Sequence, residues 1–309
     1  MSTFVIFVLT SLSGDPLSEL RTKTPPPPPS VIHQEVLRLH LNESIPHRYW
    51  TWLTGIVHGN FGPSVTPNLN IGSELATRIV ITMRLIGLSI LLALVLAVIV
   101  GVISAVKQYS AADYSFTFFG FLFLAMPSFW LAILLKQAGI FANGQLGSNV
   151  FFTIGDSSVL STGGAGAHIA DIFEHMILPT ISLALISFAA WSRYQRGSML
   201  EVLNSDYVRL ARAKGLSPMR VLLRHSLRTA LIPLTTVTAL DFGAIIGGAV
   251  ITETVFQWHG MGDFLITSLQ HNDAYAVTGW LLIAATAVIV FNIIADLLYA
   301  VLDPRIRYA

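Results

Sequence analysis

Apolar residues fill five long stretches of the chain, at 79–106, 115–141, 176–192, 230–256 and 277–301, and polar residues gather between them. A helix that crosses a bilayer needs about 20 mostly apolar residues; the stretch 176–192 is the shortest of the five and reaches that length only with flanking residues. Pro127, Gly243 and Gly247 fall inside these stretches, as spanning helices tolerate when neighbours satisfy the freed backbone groups. Residues 1–13 are also apolar but short. At ~1.5 Å per residue they reach ~20 Å, against a hydrocarbon core of ~30 Å. They lack the basic region and small-residue cleavage site of a signal peptide. They read instead as the outer part of a first spanning helix, truncated as the sequence stands. The pattern predicts an all-α integral membrane protein of six spans: a partial helix at 1–13, a loop at 14–78, and a five-span core at 79–309.

The charges orient this core. The segment 193–229 carries Arg193, Arg196, Arg209, Arg212, Lys214, Arg220, Arg224 and Arg228 against only Glu201 and Asp206, and the C-terminal tail adds Arg305 and Arg307. Segments 142–175 and 257–276 contain no lysine or arginine. Positive loops stay in the cytoplasm, so 193–229 and the C-terminus are expected inside and the other two segments outside, in a multi-pass protein of the cytoplasmic membrane. The 14–78 loop is then extracytoplasmic. It contains Pro25–Pro29, a stiff spacer of polyproline geometry, and a stretch at 31–42 that reads as a short amphipathic helix. The Gly- and Ser-rich 142–175 reads as a flexible outer loop.

Composition removes most chemistry. The chain is 53% hydrophobic and only 11% charged, with a mean hydropathy of +0.67, whereas soluble domains carry about 25% charged residues. Eighteen basic against 17 acidic side chains leave no basic excess for a nucleic acid. Without cysteine there is no disulfide framework, thiolate metal site or thiol nucleophile. None of the four lysines follows a glycine, so the phosphate loop G-x-x-x-x-G-K-[ST] is missing, as are H-E-x-x-H and G-x-S-x-G. His33, His40 and His47 recur every seven residues, but the spacing is not ligand-like and Pro46 stops any helix before His47; no metal site is assigned. Gly260-Met261-Gly262-Asp263 matches the G-x-G-D of intramembrane aspartyl proteases. Such a dyad needs a second carboxylate at the same depth, and Asp241, the one deep candidate, lies well inside a span while Asp263 lies beyond its end.

The most informative stretch is 204–233, basic and amphipathic, with small residues ahead of Gly215-Leu216-Ser217. A short helix with small and apolar contact positions (Leu210, Ala211, Ala213), ended by a glycine, is built to dock in a groove on a partner. Asp206 to Leu216, D-Y-V-R-L-A-R-A-K-G-L, with A-L-I-P at Ala230–Pro233, strongly resembles the coupling motif, or EAA loop, of ABC importer permeases of the dipeptide and oligopeptide subgroup (oligopeptide permease B type, binding-protein-dependent transport family). Other motifs agree in order: Gly59-Asn60-Phe61-Gly62, Pro127-Ser128-Phe129-Trp130, Leu178-Pro179, Ser192-Arg193-Tyr194, Thr252–Phe256 with Gly260-Met261-Gly262, and Asp296–Ala300 with Leu302–Arg305.

The resemblance implies a six-span, type I permease with a cytoplasmic coupling helix. It would pair with a second homologous permease, with two ATPase subunits that hold ATP and magnesium, and with an extracytoplasmic substrate-binding protein. This chain would bind no cofactor and do no bond chemistry. Its cargo would be a di- or oligopeptide, with nickel or another small solute as variants and an ATP-independent transporter as the competing class. The ATPase contact is expected at Asp206, Tyr207, Arg209, Ala211, Arg212, Ala213, Lys214, Gly215, Leu216 and Ser217, with Gly215 allowing the turn. Of the charges inside spans, Arg84, Lys136 and Asp296 lie near ends and can snorkel. Asp241, ~15 Å deep, is expected to line the translocation pathway or to pair with the partner permease. Gly243 and Gly247, four apart, suggest close helix packing.

Overall fold

The computed structural model describes residues 2–158 and 164–302. They are overwhelmingly helical, and the single β feature among them is an isolated bridge between Pro63 and Asn70. The chain divides into two compact units.

The first unit comprises the chain up to Met83 with His259–Ala287. It contains α1 (Ser2–Ser13), α2 (Ser18–Arg21), α3 (Pro29–Arg38), α4 (Ile45–Ile56) and the first turns of α5 (Ile71–Val106). The stretch expected as a loop with one short helix is therefore largely helical. Pro29 opens α3, since a first-turn proline loses no intrahelical hydrogen bond. The helix closes early because His40 takes a left-handed φ of 56°, with Leu41 N–H bonding Val36 C=O at 2.9 Å. Pro46 does not merely interrupt; it lies in the opening turn of α4 and carries His47 into that helix. His40 and His47 both approach Glu43, at 3.0 and 3.7 Å. The rest of the unit is α13 (Met261–Gln270) and the start of α14 (Ala274–Leu302). Phe7, Trp52, Leu75, Phe264 and Tyr275 form its apolar core. Arg48 is buried in it, its guanidinium over the rings of Phe7 and Tyr275 at 5.6 and 5.3 Å. Arg78 joins Glu74 to Asp263, each at 2.6 Å. Asp273 accepts from Ser64 Oγ, Val65 N–H and Ala276 N–H, so one carboxylate caps α14 and pins the loop before α5.

The second unit, Arg84–Trp258 with the chain from Val288 on, holds the remainder of α5 and α14 together with α6 (Ala111–Ala125), α7 (Ser128–Leu146), α8 (Ala165–Leu203), α9 (Asp206–Ala213), α10 (Pro218–Arg220), a π-helical turn (Val221–Ser226), α11 (Leu227–Leu240) and α12 (Phe242–Phe256). Helix α8 is its axis and packs against α6, α7, α9, α11 and α12. It buries Phe188, Ala189, Trp191, Gln195 and Met199. It comes close to α5 at Gly101, where an added Cβ would stand 2.7 Å from Gln195 Cβ.

By length and composition α5, α8 and α14 can each cross a membrane, and counting the bent pairs α6–α7 and α10-to-α12 gives five. Helix α1, at 12 residues, is short of a span. Three expectations about the core change. The span at 115–141 is not one helix: α6 and α7 meet at 109° across Met126-Pro127. Proline denies its predecessor the α region, and Met126 accordingly sits at ψ 129°. The short 176–192 belongs to a helix of 39 residues, so 165–175 is helix rather than loop and the basic segment begins as its continuation. The 230–256 span bends by 55° at Asp241.

Candidate functional site

Helix α9 starts after Ser205 and carries Asp206, Tyr207, Arg209, Ala211, Arg212 and Ala213. Its two faces differ sharply. Val208 and Ala211 are buried and join a cluster with Ala105, Met199, Val202, Val221 and Ala230, against which Leu216 also packs. Tyr207 and Leu210, three residues apart, are exposed together with Asp206, Arg209, Arg212, Ala213, Lys214, Gly215 and Ser217. Ala211, expected at the partner contact, therefore anchors α9 to its own chain, and Leu210 with Tyr207 forms the apolar part of the free face. Arg209 caps the preceding turn, donating to Asn204 C=O at 3.0 Å.

The end of α9 is fixed by backbone geometry. Gly215 has φ +76°, Gly215 N–H bonds Arg212 C=O at 3.0 Å, and Leu216 N–H reaches Ala211 C=O at 3.4 Å. This paired closure is a Schellman turn, which needs a left-handed residue after the C-cap and favours glycine. Pro218 then starts the next helix.

An ionic lock with a buried carboxylate ties together α5 and α8, the helices whose Ala105, Met199 and Val202 meet α9. Asp113, on the first turn of α6, accepts from Arg196 Nε and Nη2, both at 2.8 Å. Its carboxylate also takes Ser104 Oγ–H and Tyr109 N–H. The side chain of Asp113 is only 4% exposed. The lock joins the end of α5, the start of α6 and the last turns of α8. Sequence reading missed it, because Arg196 was one of a run of basic residues; the signal available was Asp113 three residues after Ser110, whose hydroxyl caps α6.

Asp241 stands at the junction of α11 and α12, partly exposed, and its Oδ2 accepts from Trp191 Nε1 at 2.8 Å. Its visible partner is thus a neutral donor on α8. Asp263 is engaged with Arg78, so each of the two carboxylates weighed as a protease dyad has its own donor. Gly243 and Gly247 face open space: only Val288 Cγ2, at 4.0 Å, is near the former and nothing is within 4 Å of the latter. Close packing at these glycines is not made within the described residues. Two charges expected to snorkel are instead held: Arg84 pairs with Asp156 at 2.8 Å, and Lys136 donates to Val255 C=O at 2.6 Å. No group of three or more histidine, aspartate or glutamate side chains among the described residues is arranged to hold a metal ion.

Residues 97–308, which include the lock and the whole of α9, match the model of the binding-protein-dependent transport system inner membrane component family. The chain belongs to that family. Among its relatives are the oligopeptide transport system permease OppB of Mycobacterium tuberculosis, 37% identical over 99% of this chain and 94% of that protein; AppB of Bacillus subtilis, also an oligopeptide transport permease, 39% identical over 89% and 84%; and the dipeptide transport permease DppB of Escherichia coli, 37% identical over 89% and 85%. The fold is similar to a solved inward-facing structure of the MetNI methionine ABC transporter, with a TM-score of 0.57 and 15% identity over 74% of this chain and 96% of that one. The protein is a multi-pass membrane permease.

Proposed function

We propose that this permease is the translocation subunit of an ATP-driven importer of di- or oligopeptides. It works with a second homologous permease, two ATPase subunits on the cytoplasmic side and an extracytoplasmic binding protein. Support for the cargo comes from the relatives, which are named as oligopeptide and dipeptide permeases and align over most of the chain. Support for the coupling role comes from one observation above all: α9 is anchored on one face by Val208 and Ala211 and offers Tyr207 and Leu210 on the other. A helix so held can transmit a push from an ATPase groove into α8 and α11 rather than absorb it. The basic 193–229 segment, against outer segments devoid of lysine and arginine, favours a cytoplasmic α9. The pathway is lined in part by Asp241, and the open faces of Gly243 and Gly247 meet the second permease.

The test is uptake of labelled di-, tri- and longer peptides by cells lacking the gene, complemented with wild type or with Gly215→Pro. Proline cannot adopt φ +76° and lacks the N–H that bonds Arg212. Uptake lost on deletion and restored by wild type alone supports both the cargo and the coupling role. Unchanged peptide uptake in the deletion strain removes the peptide reading and turns the search to nickel or another small solute. Full rescue by Gly215→Pro removes the coupling role.

A further inference from the structure

A cavity of about 720 Å³ opens between α6, α8 and Pro233 of α11, at the end of α8 that leads into α9. Its long wall is a single face of α8. Arg193, Gly197 and Glu201 fall there at successive four-residue steps, the spacing that stacks side chains along a helix. Gly197 leaves the middle clear, since a Cβ there would meet nothing within 4 Å. The facing wall, from α6, carries Phe121 and Leu124 beside Thr117. Arg193 lies over the Phe121 ring with Cζ 4.5 Å from its centroid, which holds the cation at that wall. Among the described residues neither Arg193 nor Glu201 has an ion-pair partner, whereas Arg196 between them is committed to Asp113.

Eight residues of helix set the Cα atoms of Arg193 and Glu201 ~12 Å apart, and the two side chains form no ion pair with each other. That spacing is close to the span of an extended tripeptide, roughly 10 Å at ~3.4 Å per residue. We infer that this groove is a peptide subsite: Arg193 takes the C-terminal carboxylate, Glu201 takes the N-terminal ammonium, and a side chain of the peptide rests on Phe121 and Leu124. The inference rests on the peptide-importer reading and adds to it a place where the permease itself recognises both ends of its cargo. An anionic phospholipid headgroup would satisfy Arg193 but would set its phosphate in a groove that also contains an unpaired carboxylate, and a zwitterionic headgroup carries its phosphate and ammonium too close together to reach both residues, so an extended zwitterion is the better complement.

The test uses the complete importer in phosphatidylcholine nanodiscs, without binding protein or nucleotide, and equilibrium dialysis of labelled trialanine, its C-terminal amide and its N-acetyl form. Wild type is expected to bind free trialanine saturably and each blocked form about tenfold more weakly, the scale expected when one charge-assisted hydrogen bond is removed. Arg193→Gln should weaken trialanine about tenfold yet bind the amide as wild type does; Glu201→Gln should do the same with the N-acetyl form. A role of these residues in coupling or folding alone would weaken all three ligands equally, and that result overturns the subsite. So does the absence of saturable binding, or displacement by phosphatidylglycerol with no dependence on the peptide termini. ATP-driven uptake of trialanine by the same complex with its binding protein reports on the importer reading separately: uptake without subsite binding leaves that reading standing and removes the subsite alone.

Discussion

Arg196 grips Asp113 with two parallel N–H···O bonds of 2.8 Å, one from Nε and one from Nη2. The pair is charge-assisted and bidentate, the strongest geometry open to these side chains. It also ties the α5–α6 turn to the stem of α8. Removing Asp113 leaves the Arg196 cation, 28% exposed, without its partner, at a cost below the about 3–5 kcal/mol of fully buried pairs. Asp113→Ala is therefore expected to lower the thermal midpoint of the purified importer strongly. Asp113→Leu combined with Arg196→Met, which leaves no charge behind, should recover much of that loss. A scan in which the double variant is as unstable as the sum of the singles would show that the pair is not coupled.

Gly215 makes a second prediction because its φ is +76°. Left-handed backbone costs a residue with Cβ roughly 1–2 kcal/mol, with asparagine the best tolerated. Nothing lies within 4 Å of an added Cβ, so the penalty is conformational rather than steric. Gly215→Asn should retain most peptide uptake and Gly215→Val should lose most of it at equal membrane level. Equal uptake by the two variants would mean that the turn does not set the position of α9.

The outward face of α9 can be tested apart from its fold. Tyr207 and Leu210 are 44% and 56% exposed, while Val208 is fully buried. Tyr207→Ser with Leu210→Ser is expected to leave the stability of the isolated permease within about 0.5 kcal/mol of wild type, as surface changes do. It should reduce co-purification of the ATPase subunits severalfold. Val208→Ala should do the reverse, destabilising the permease by about 0.5–1.5 kcal/mol or more for the missing methyls. Undiminished ATPase recovery from the double serine variant would place the contact elsewhere.

How much of this was legible in the sequence follows the physics of each feature. The apolar runs located the core helices, and the motif around Asp206–Ser217 located α9, because length and local pattern decide both. The breaks were harder. Pro127 and Pro179 look alike as residues within apolar runs, yet the first ends α6 and the second sits inside α8. The proline alone does not tell the two cases apart, since Leu178 stays helical before Pro179 while Met126 leaves the helix before Pro127. The facing of α9 had the same limit. Ala211 and Ala213 are equally small, but only Ala211 meets the Val202 and Val221 cluster. The Arg196–Asp113 lock spans 83 positions and was hidden among charges that a positive-inside count treats as equivalent.

Asp241 provides the last prediction. Trp191 is fully buried and donates its indole N–H to Asp241 Oδ2 at 2.8 Å, at the point where α11 and α12 part by 55°. Two roles must be told apart on this one carboxylate: the acceptor that holds the bend against α8, and the proposed charge on the pathway. Substitutions separate them. Asp241→Asn keeps an oxygen for the indole and removes the charge, so the fold should be unaffected and any fall in uptake belongs to the charge. Asp241→Leu also strands the Trp191 donor, which costs about 1–3 kcal/mol for an unsatisfied buried group, and should lower the thermal midpoint as well. Trp191→Phe removes the donor and leaves the charge. If Asp241→Asn retains wild-type uptake and assembly while Asp241→Leu and Trp191→Phe are both destabilised, the carboxylate is a brace at the bend and not part of the pathway. If Asp241→Asn loses uptake with an unchanged midpoint, the charge itself acts on the cargo.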